Sequence, residues 1–192
     1  MAQTQQATAV KSGKTTWNID PVHSNAQFSV RHLMISNVKG EFTGISGWIL
    51  FDPQKPETLS AEATIDVSTI NTREQERDNH LKSPDFFHVE EYPTLTFKSK
   101  RAEKSSGGLK VAGDLTIRGV TREVTLDVEG PTPPTKDPWG SIRVGASATT
   151  KINRKDFGLT WNQALETGGV LVGDEVKITI DVQLVAQAEN EK

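Results

Sequence analysis

The sequence predicts an all-β domain: eight amphipathic strands in an antiparallel up-and-down barrel, with a helical insertion between the third and fourth strands. Three observations predict it. Apolar and polar residues alternate with a period of two in segment after segment, which gives each strand one wet and one dry face. The segments are joined mostly by short turns between sequence neighbours, such as Ser105-Ser106-Gly107-Gly108 and Gly119-Val120-Thr121. The chain has 192 residues and no internal repeat, which suits one domain around a single core. Eight such strands either stack as two sheets or close on themselves, and the short connections favour closure.

The elements follow in order. Ala26, Phe28, Val30 and His32 form the dry face of the first strand, which can begin earlier, at Trp17 to Ile19, with a kink through Asp20-Pro21. Val38 to Phe51 is a second, less regular strand, broken by Gly44 and Gly47. Leu59, Ala61, Ala63, Ile65 and Val67 alternate through the third. Thr72 to Lys82 reads as a polar helix, with Thr72 and Gln75 in capping-box spacing and the pairs Arg73–Glu76 and Glu74–Arg77 one turn apart. Ser83-Pro84 then reads as the start of a second short helix carrying Phe86 and Phe87. Strands follow at Thr94 to Lys100, Leu109 to Ile117 and Val124 to Val128. The Pro131 to Gly140 stretch is a proline-rich loop that no central strand could contain. Ile142 to Ala148 and Val176 to Leu184 complete the set, separated by an ordered, glycine-rich loop over Arg154 to Asp174. Residues 1–15 and 188–192 read as flexible tails around a domain spanning 16–187.

Composition excludes several classes of function. Lys and Arg number 22 against 25 Asp and Glu, a net charge of -3, which lacks the basic footprint of a nucleic-acid partner. There is no cysteine, so disulfides, zinc–thiolate sites and cysteine nucleophiles are absent. No apolar run reaches the roughly 18 residues of a membrane-spanning helix. The polar segment before Trp17 lacks the apolar stretch of a secretory leader as written, so two locations stay open: the cytoplasm, or the periplasm for a processed chain.

The dry faces carry several small residues, Ala26, Ala61, Ala63, Gly113, Ala146 and Ala148, and His32 as their one titratable group. Small inward side chains leave room for one apolar ligand inside an eight-stranded barrel; alternatively, small and large residues interleave and fill a tapered interior. No HxH or HExxH spacing supports a metal site, and no GxSxG elbow is present. Asp20, His23 and Ser24 supply triad residue types, but on one local turn where a relay is hard to build. Arg77 and Arg154 flank the two insertions, where a guanidinium fork could meet a phosphate or carboxylate.

Several blocks together resemble the YceI-like polyisoprenoid-binding family. They are Trp17-Asn18-Ile19-Asp20-Pro21-Val22-His23-Ser24, Phe28-Ser29-Val30-Arg31-His32, Val38-Lys39-Gly40-Glu41-Phe42, and the run Arg77 to Phe87 with Tyr92-Pro93-Thr94. Gly113 to Thr121 and Ile152 to Leu159 continue the match in the same order. The resemblance implies a lipocalin-like barrel with an elongated apolar channel that binds a long isoprenoid lipid, a polyprenyl phosphate or a prenylquinone, and it implies a homodimer in some members. It brings no catalytic residue, metal or separate cofactor. The expected lining is Phe28, Val30, His32, Phe42, Ile65, Leu95, Phe97, Leu115, Ile117, Leu126, Val144 and Ile180. Phe86, Phe87, Phe157 and Trp161 are expected to border the mouth, with Arg77 and Arg154 as head-group ligands. Two other readings remain: a filled barrel serving as a protein-interaction module, and an enzyme using His23 or His32 as base.

Overall fold

A computed structural model describes residues 13–52 and 54–187, so the expected C-terminal tail and most of the N-terminal one lie outside the described residues. The chain runs through β1 (Thr15–Ile19), β2 (Asn25–His32), β3 (Ser36–Phe42), β4 (Ile45–Asp52) and β5 (Lys55–Asp66). A 3-10 turn (Val67–Thr69), β6 (Ile70–Asn71) and α1 (Gln75–Lys82) follow. Then come β7 (Thr94–Ser105), β8 (Gly108–Ile117), β9 (Val120–Glu129), β10 (Thr135–Lys136) and β11 (Ile142–Asn153). A second 3-10 turn (Arg154–Phe157) and β12 (Val172–Ala186) end the series.

Pairing closes these strands into a ring. β1 and β2 lie in succession along one edge of β12, and β4 and β3 lie in succession along β1 and β2. Each couple therefore acts as one bent strand. The ring then continues through β5, β7, β8, β9 and β11 back to β12, antiparallel throughout. This is the eight-stranded barrel, and the two-sheet alternative is excluded. β10 adds a short hairpin on β11, and β6 continues the line of β5 against β3.

Local chemistry explains the bends. At the first, Pro21 cannot donate to a ladder, and Ser24 substitutes: Gln183 donates its N–H to Ser24 Oγ at 3.0 Å, and Asp20 N donates to the Gln183 carbonyl at 2.8 Å. At the second, Gly44 N donates to Thr69 Oγ1 at 3.0 Å, so the 3-10 turn fills the gap between β3 and β4. The expected break in Val38 to Phe51 thus falls at Thr43-Gly44, and Gly47 stays within β4.

Three local expectations are corrected. The helix begins at Gln75 with Glu74 as its cap, whose carboxylate accepts from Glu76 N and Arg77 N. Thr72 does not cap; it donates to the buried Asp78 carboxylate through both its N–H (2.8 Å) and its hydroxyl (2.6 Å). The Glu74–Arg77 pair is replaced as well, because Glu74 is committed to the helix terminus and Arg77 turns back onto Thr72. After Ser83 the chain makes successive turns rather than a helix, with both Phe86 N and His88 N donating to the Ser83 carbonyl. β1 begins at Thr15, which pairs with Phe51.

Two apolar clusters sit at opposite ends of the barrel. The cap end, under α1 and the loop after β11, gathers Phe42, Val67, Ile70, Phe86, Leu95, Ile117, Phe157 and Leu159. The base gathers Trp17, Ile19, Ile45, Phe51, Val144 and Leu184, with Trp17 stacked on Phe51 at 5.5 Å and 20°. Burying large rings at each end supplies much of the hydrophobic stabilisation.

Candidate functional site: an apolar channel inside the barrel

Between the two clusters the barrel encloses a cavity of about 390 Å³ with an almost wholly apolar lining. The cavity is long rather than round. Its wall on β12 runs from Val172 to Leu184, about 40 Å of strand at about 3.3 Å per residue. That volume, spread along most of a tilted strand, lies within the size range of pockets that bury a ligand.

The alternation of the strands builds it. On β12, Val176, Ile178, Ile180, Val182 and Leu184 all point inward, and opposite them stand Phe28, Ala26, Ala146 and Ala148. The alanines set the bore: Ala26, Ala61, Ala63, Ala146 and Ala148 all line the channel. Gly113 acts differently. A Cβ there would lie 2.6 Å from Phe97 Cζ, so the Phe97 ring already occupies the space the glycine leaves. Gly40 does the same for Phe28, with a Cβ meeting Phe28 Cζ at 2.4 Å. These glycines let aromatic rings lie back against the wall, while the alanines keep the middle empty. The interior is therefore not filled, which removes the geometric basis of the filled-barrel alternative.

Of the expected lining, Phe28, Val30, His32, Phe42, Ile65, Leu95, Phe97, Leu115, Ile117, Leu126 and Ile180 all border the cavity. Val144 does not: it belongs to the base cluster and packs into the plug below the channel. At the cap end Arg77, Phe86, Phe87, Arg154 and Trp161 border it, whereas Phe157 is sunk in the cap cluster behind them. Phe86 is buried as a plug, and Phe87 is half-buried with its ring edge-on to Phe42. The unforeseen lining, including Ile49, Leu59, Val111, Ile152 and Ile178, lies on the same dry faces that alternation marks. His80, also in the lining, stands edge-on to Phe86 and Trp161 at 5.1 and 4.7 Å and pairs with Asp85 at 2.8 Å. Only the fold brings α1 over the channel, so no sequence signal marked His80.

The two arginines part company. Arg154 is only 3 % exposed. Its Nε donates to the Gly173 carbonyl (2.8 Å), its Nη1 to Leu159 (2.6 Å) and Trp161 (2.8 Å), and its Nη2 to Val172 (3.3 Å). Burial lowers its pKa, an effect opposed by Asp174. Those carbonyls use the fork that a head group would need, so Arg154 is the pin that folds the loop over the channel. Arg77 is half-buried and donates to Thr72 Oγ1 (2.8 Å) and Thr72 O (2.9 Å) through Nε and Nη2.

At the base one arginine joins several segments. Arg143 donates to Asp20 Oδ2 (2.5 Å), Asp137 Oδ2 (2.7 Å) and Gln183 Oε1 (3.1 Å), tying the first bend, the proline-rich loop and β12 together. Arg143 first, and His23 second, hold the Asp20 carboxyl far below its ordinary range. His23 reaches Asp20 at 2.9 Å and Ser24 faces the Gln183 backbone, so the three triad residue types form no relay. Among the described residues no group of three or more His, Asp or Glu side chains is placed to hold a metal ion.

Comparison with known proteins agrees with the fold. The YceI-like domain family model matches residues 17–184. A UPF0312 protein of Staphylococcus aureus (strain MSSA476) is 46 % identical over 164 residues, covering 85 % of this chain and 93 % of the relative. The crystal structure of a Campylobacter jejuni YCEI protein superposes with a TM-score of 0.69 at 36 % identity, covering 82 % of this chain and 90 % of that one. A polyisoprenoid binding domain from Saccharophagus degradans shares the fold alone, at TM-score 0.66 and 15 % identity over 90 % of this chain and 99 % of that one. With its closed barrel, its bent first strand and a family match over nearly all the described residues, the chain belongs to the YceI-like domain family.

Proposed function

We propose that this protein binds, stores or carries a long-chain isoprenoid lipid, a polyprenyl phosphate, polyprenyl pyrophosphate or prenylquinone, in the barrel channel. The observation that carries this reading is the narrow apolar cavity running between the two end clusters. Its shape suits one unbranched or methyl-branched chain and offers nothing to a compact polar metabolite. Each buried carbon contributes about 0.8 kcal/mol, so one five-carbon unit contributes roughly 3–4 kcal/mol before ordering costs. Several units offset the loss of translational and conformational freedom without any polar contact. The likeness to the Saccharophagus degradans polyisoprenoid binding domain supports the same class of ligand. The reading is of a carrier, because the lining is almost wholly apolar.

Organic extraction of purified protein followed by mass spectrometry tests it: a prenyl lipid above the blank, or stoichiometric uptake of added prenyl lipid, is expected. Extracts that match the blank together with no uptake would overturn the reading. Val30→Glu places a charge in the channel and should reduce uptake at least tenfold at a stability cost.

A further inference from the structure

The hairpin between β2 and β3 exposes Leu33, Met34 and Ile35 by 37, 52 and 76 %. These three bulky apolar residues sit where a turn normally carries polar or small ones. Leu33 and Met34 have positive φ (51° and 61°), and Ile35 N donates to the His32 carbonyl at 3.1 Å. Two successive left-handed residues are the pattern of a type I′ turn, which favours Asn-Gly. The chain thus accepts both backbone strain and apolar exposure at one convex tip. Val170, 37 % exposed, stands on the loop beside it, and Gly169 approaches Met34.

The tip is continuous with the channel. His32 at its foot lines the cavity and pairs with Val172, which lines it too, and Leu33 N donates to Leu171 O at 2.8 Å. Leu171 borders the cavity as well, so the lining runs up to the foot of this turn, and the exposed Arg31 donates through Nε to the Met34 carbonyl at 3.3 Å. From Gln27 to Gly40 the hairpin carries Arg31 and Lys39 and no carboxylate; Glu166 is the one acid on the adjoining turn. Arg31 at the foot of the turn and Lys39 farther along β3 are thus the two cations of a hairpin stretch that carries no acid, in a chain of net charge -3, with Glu166 on the neighbouring loop and Asp174 near the start of β12. Two other large exposed apolar side chains, Val22 and Trp139, are at the base, each beside an aspartate held by Arg143.

From this juxtaposition we infer that the β2–β3 tip is a membrane-docking point: Leu33, Met34 and Ile35 insert into the interfacial layer of a bilayer. Arg31 and Lys39 meet anionic phosphates, and the channel mouth is set against the lipid phase. The inference rests on the lipid-carrier reading, because a long prenyl chain has to leave and enter a bilayer, and it names the surface at which that exchange occurs. Apolar insertion combined with a few cations gives the weak, reversible attachment a carrier needs.

The full chain is mixed with vesicles of phosphatidylcholine, alone or with phosphatidylglycerol, and sedimented. Binding is expected to both, stronger on the anionic vesicles and weakened by salt. The double variant Leu33→Asn, Met34→Gly should lose binding about tenfold or more, while its melting temperature is unchanged or higher because the turn strain is relieved. Neither residue lines the channel, so uptake of prenyl lipid added from detergent should persist in the variant. Wild-type protein that stays in the supernatant, or a variant that sediments equally well, overturns the membrane inference even where detergent-delivered uptake succeeds. Self-association through the tip, seen by analytical ultracentrifugation and lost in the variant without any vesicle binding, also overturns it. Failure of uptake from detergent overturns the carrier reading instead.

Discussion

The two ends of the barrel are closed by different chemistry. At the base, Arg143 joins two aspartates from separate segments, and Trp17 stacks on Phe51 directly beneath the channel. At the cap, a helix of eight residues and a long loop lie over the opening, held by aromatic edges and by a buried guanidinium that pairs with carbonyls. Charge pairs fix strand ends to one another, whereas a pinned loop closes an opening that can be released by moving one segment. The base is therefore tied across several segments, and the cap is held by one pinned segment.

The largest effect that would test this contrast is Trp17→Ala, which removes the floor of the base cluster. A loss of about 3–5 kcal/mol is expected in denaturant unfolding, with unfolding remaining one cooperative transition. Arg154→Ala leaves buried carbonyls on the cap loop without donors and should cost about 3 kcal/mol. Here the damage should be local: hydrogen exchange should speed up over residues 159–173 while β8 and β9 stay protected. If both variants loosen both ends equally, the division between floor and cap is wrong.

Gly40→Ala is the next step down. The new methyl group meets the Phe28 ring and Thr72, so overpacking of about 1–3 kcal/mol is expected, together with a narrower channel and weaker prenyl-lipid uptake. The last test is read as a pH dependence. Arg143 lowers the pKa of both Asp20 and Asp137. A carboxyl depressed in this way stabilises the fold above its unfolded value, and that contribution is lost as pH falls toward the folded value. The melting temperature should therefore drop from about pH 5 downward. Arg143→Met should give a shallower dependence over the same range, and an unchanged slope would show that the base network does not set acid stability.

Much of the channel was legible in one dimension. A period of two marks the inward residues of β8 and β12 without any structure, because pleating sends alternate side chains to opposite faces. That is why Leu115, Ile117 and Ile180 fall where expected. The misses have a common cause. Val144 satisfies the same alternation as the lining and Phe157 sits in the loop expected at the mouth, yet depth along the barrel axis, which local sequence does not encode, puts both in the end plugs. His80 sits on a polar helix whose docking depends on the path of the whole insertion. Arg154 and Arg77 look alike as chain positions; which one has spare donors depends on the carbonyls a folded loop presents.

The sequence by itself determined the strand count, the inward face of each strand, the bends at Pro21 and Gly44, and the family, since these depend on residue type and near neighbours. Only the tertiary structure decided that the ring encloses a channel, that glycines at 40 and 113 are consumed by neighbouring rings, and that Arg143 ties two distant aspartates together at the base. Each of those outcomes depends on distances between segments far apart in the chain, set by how the closed sheet is sheared and tilted.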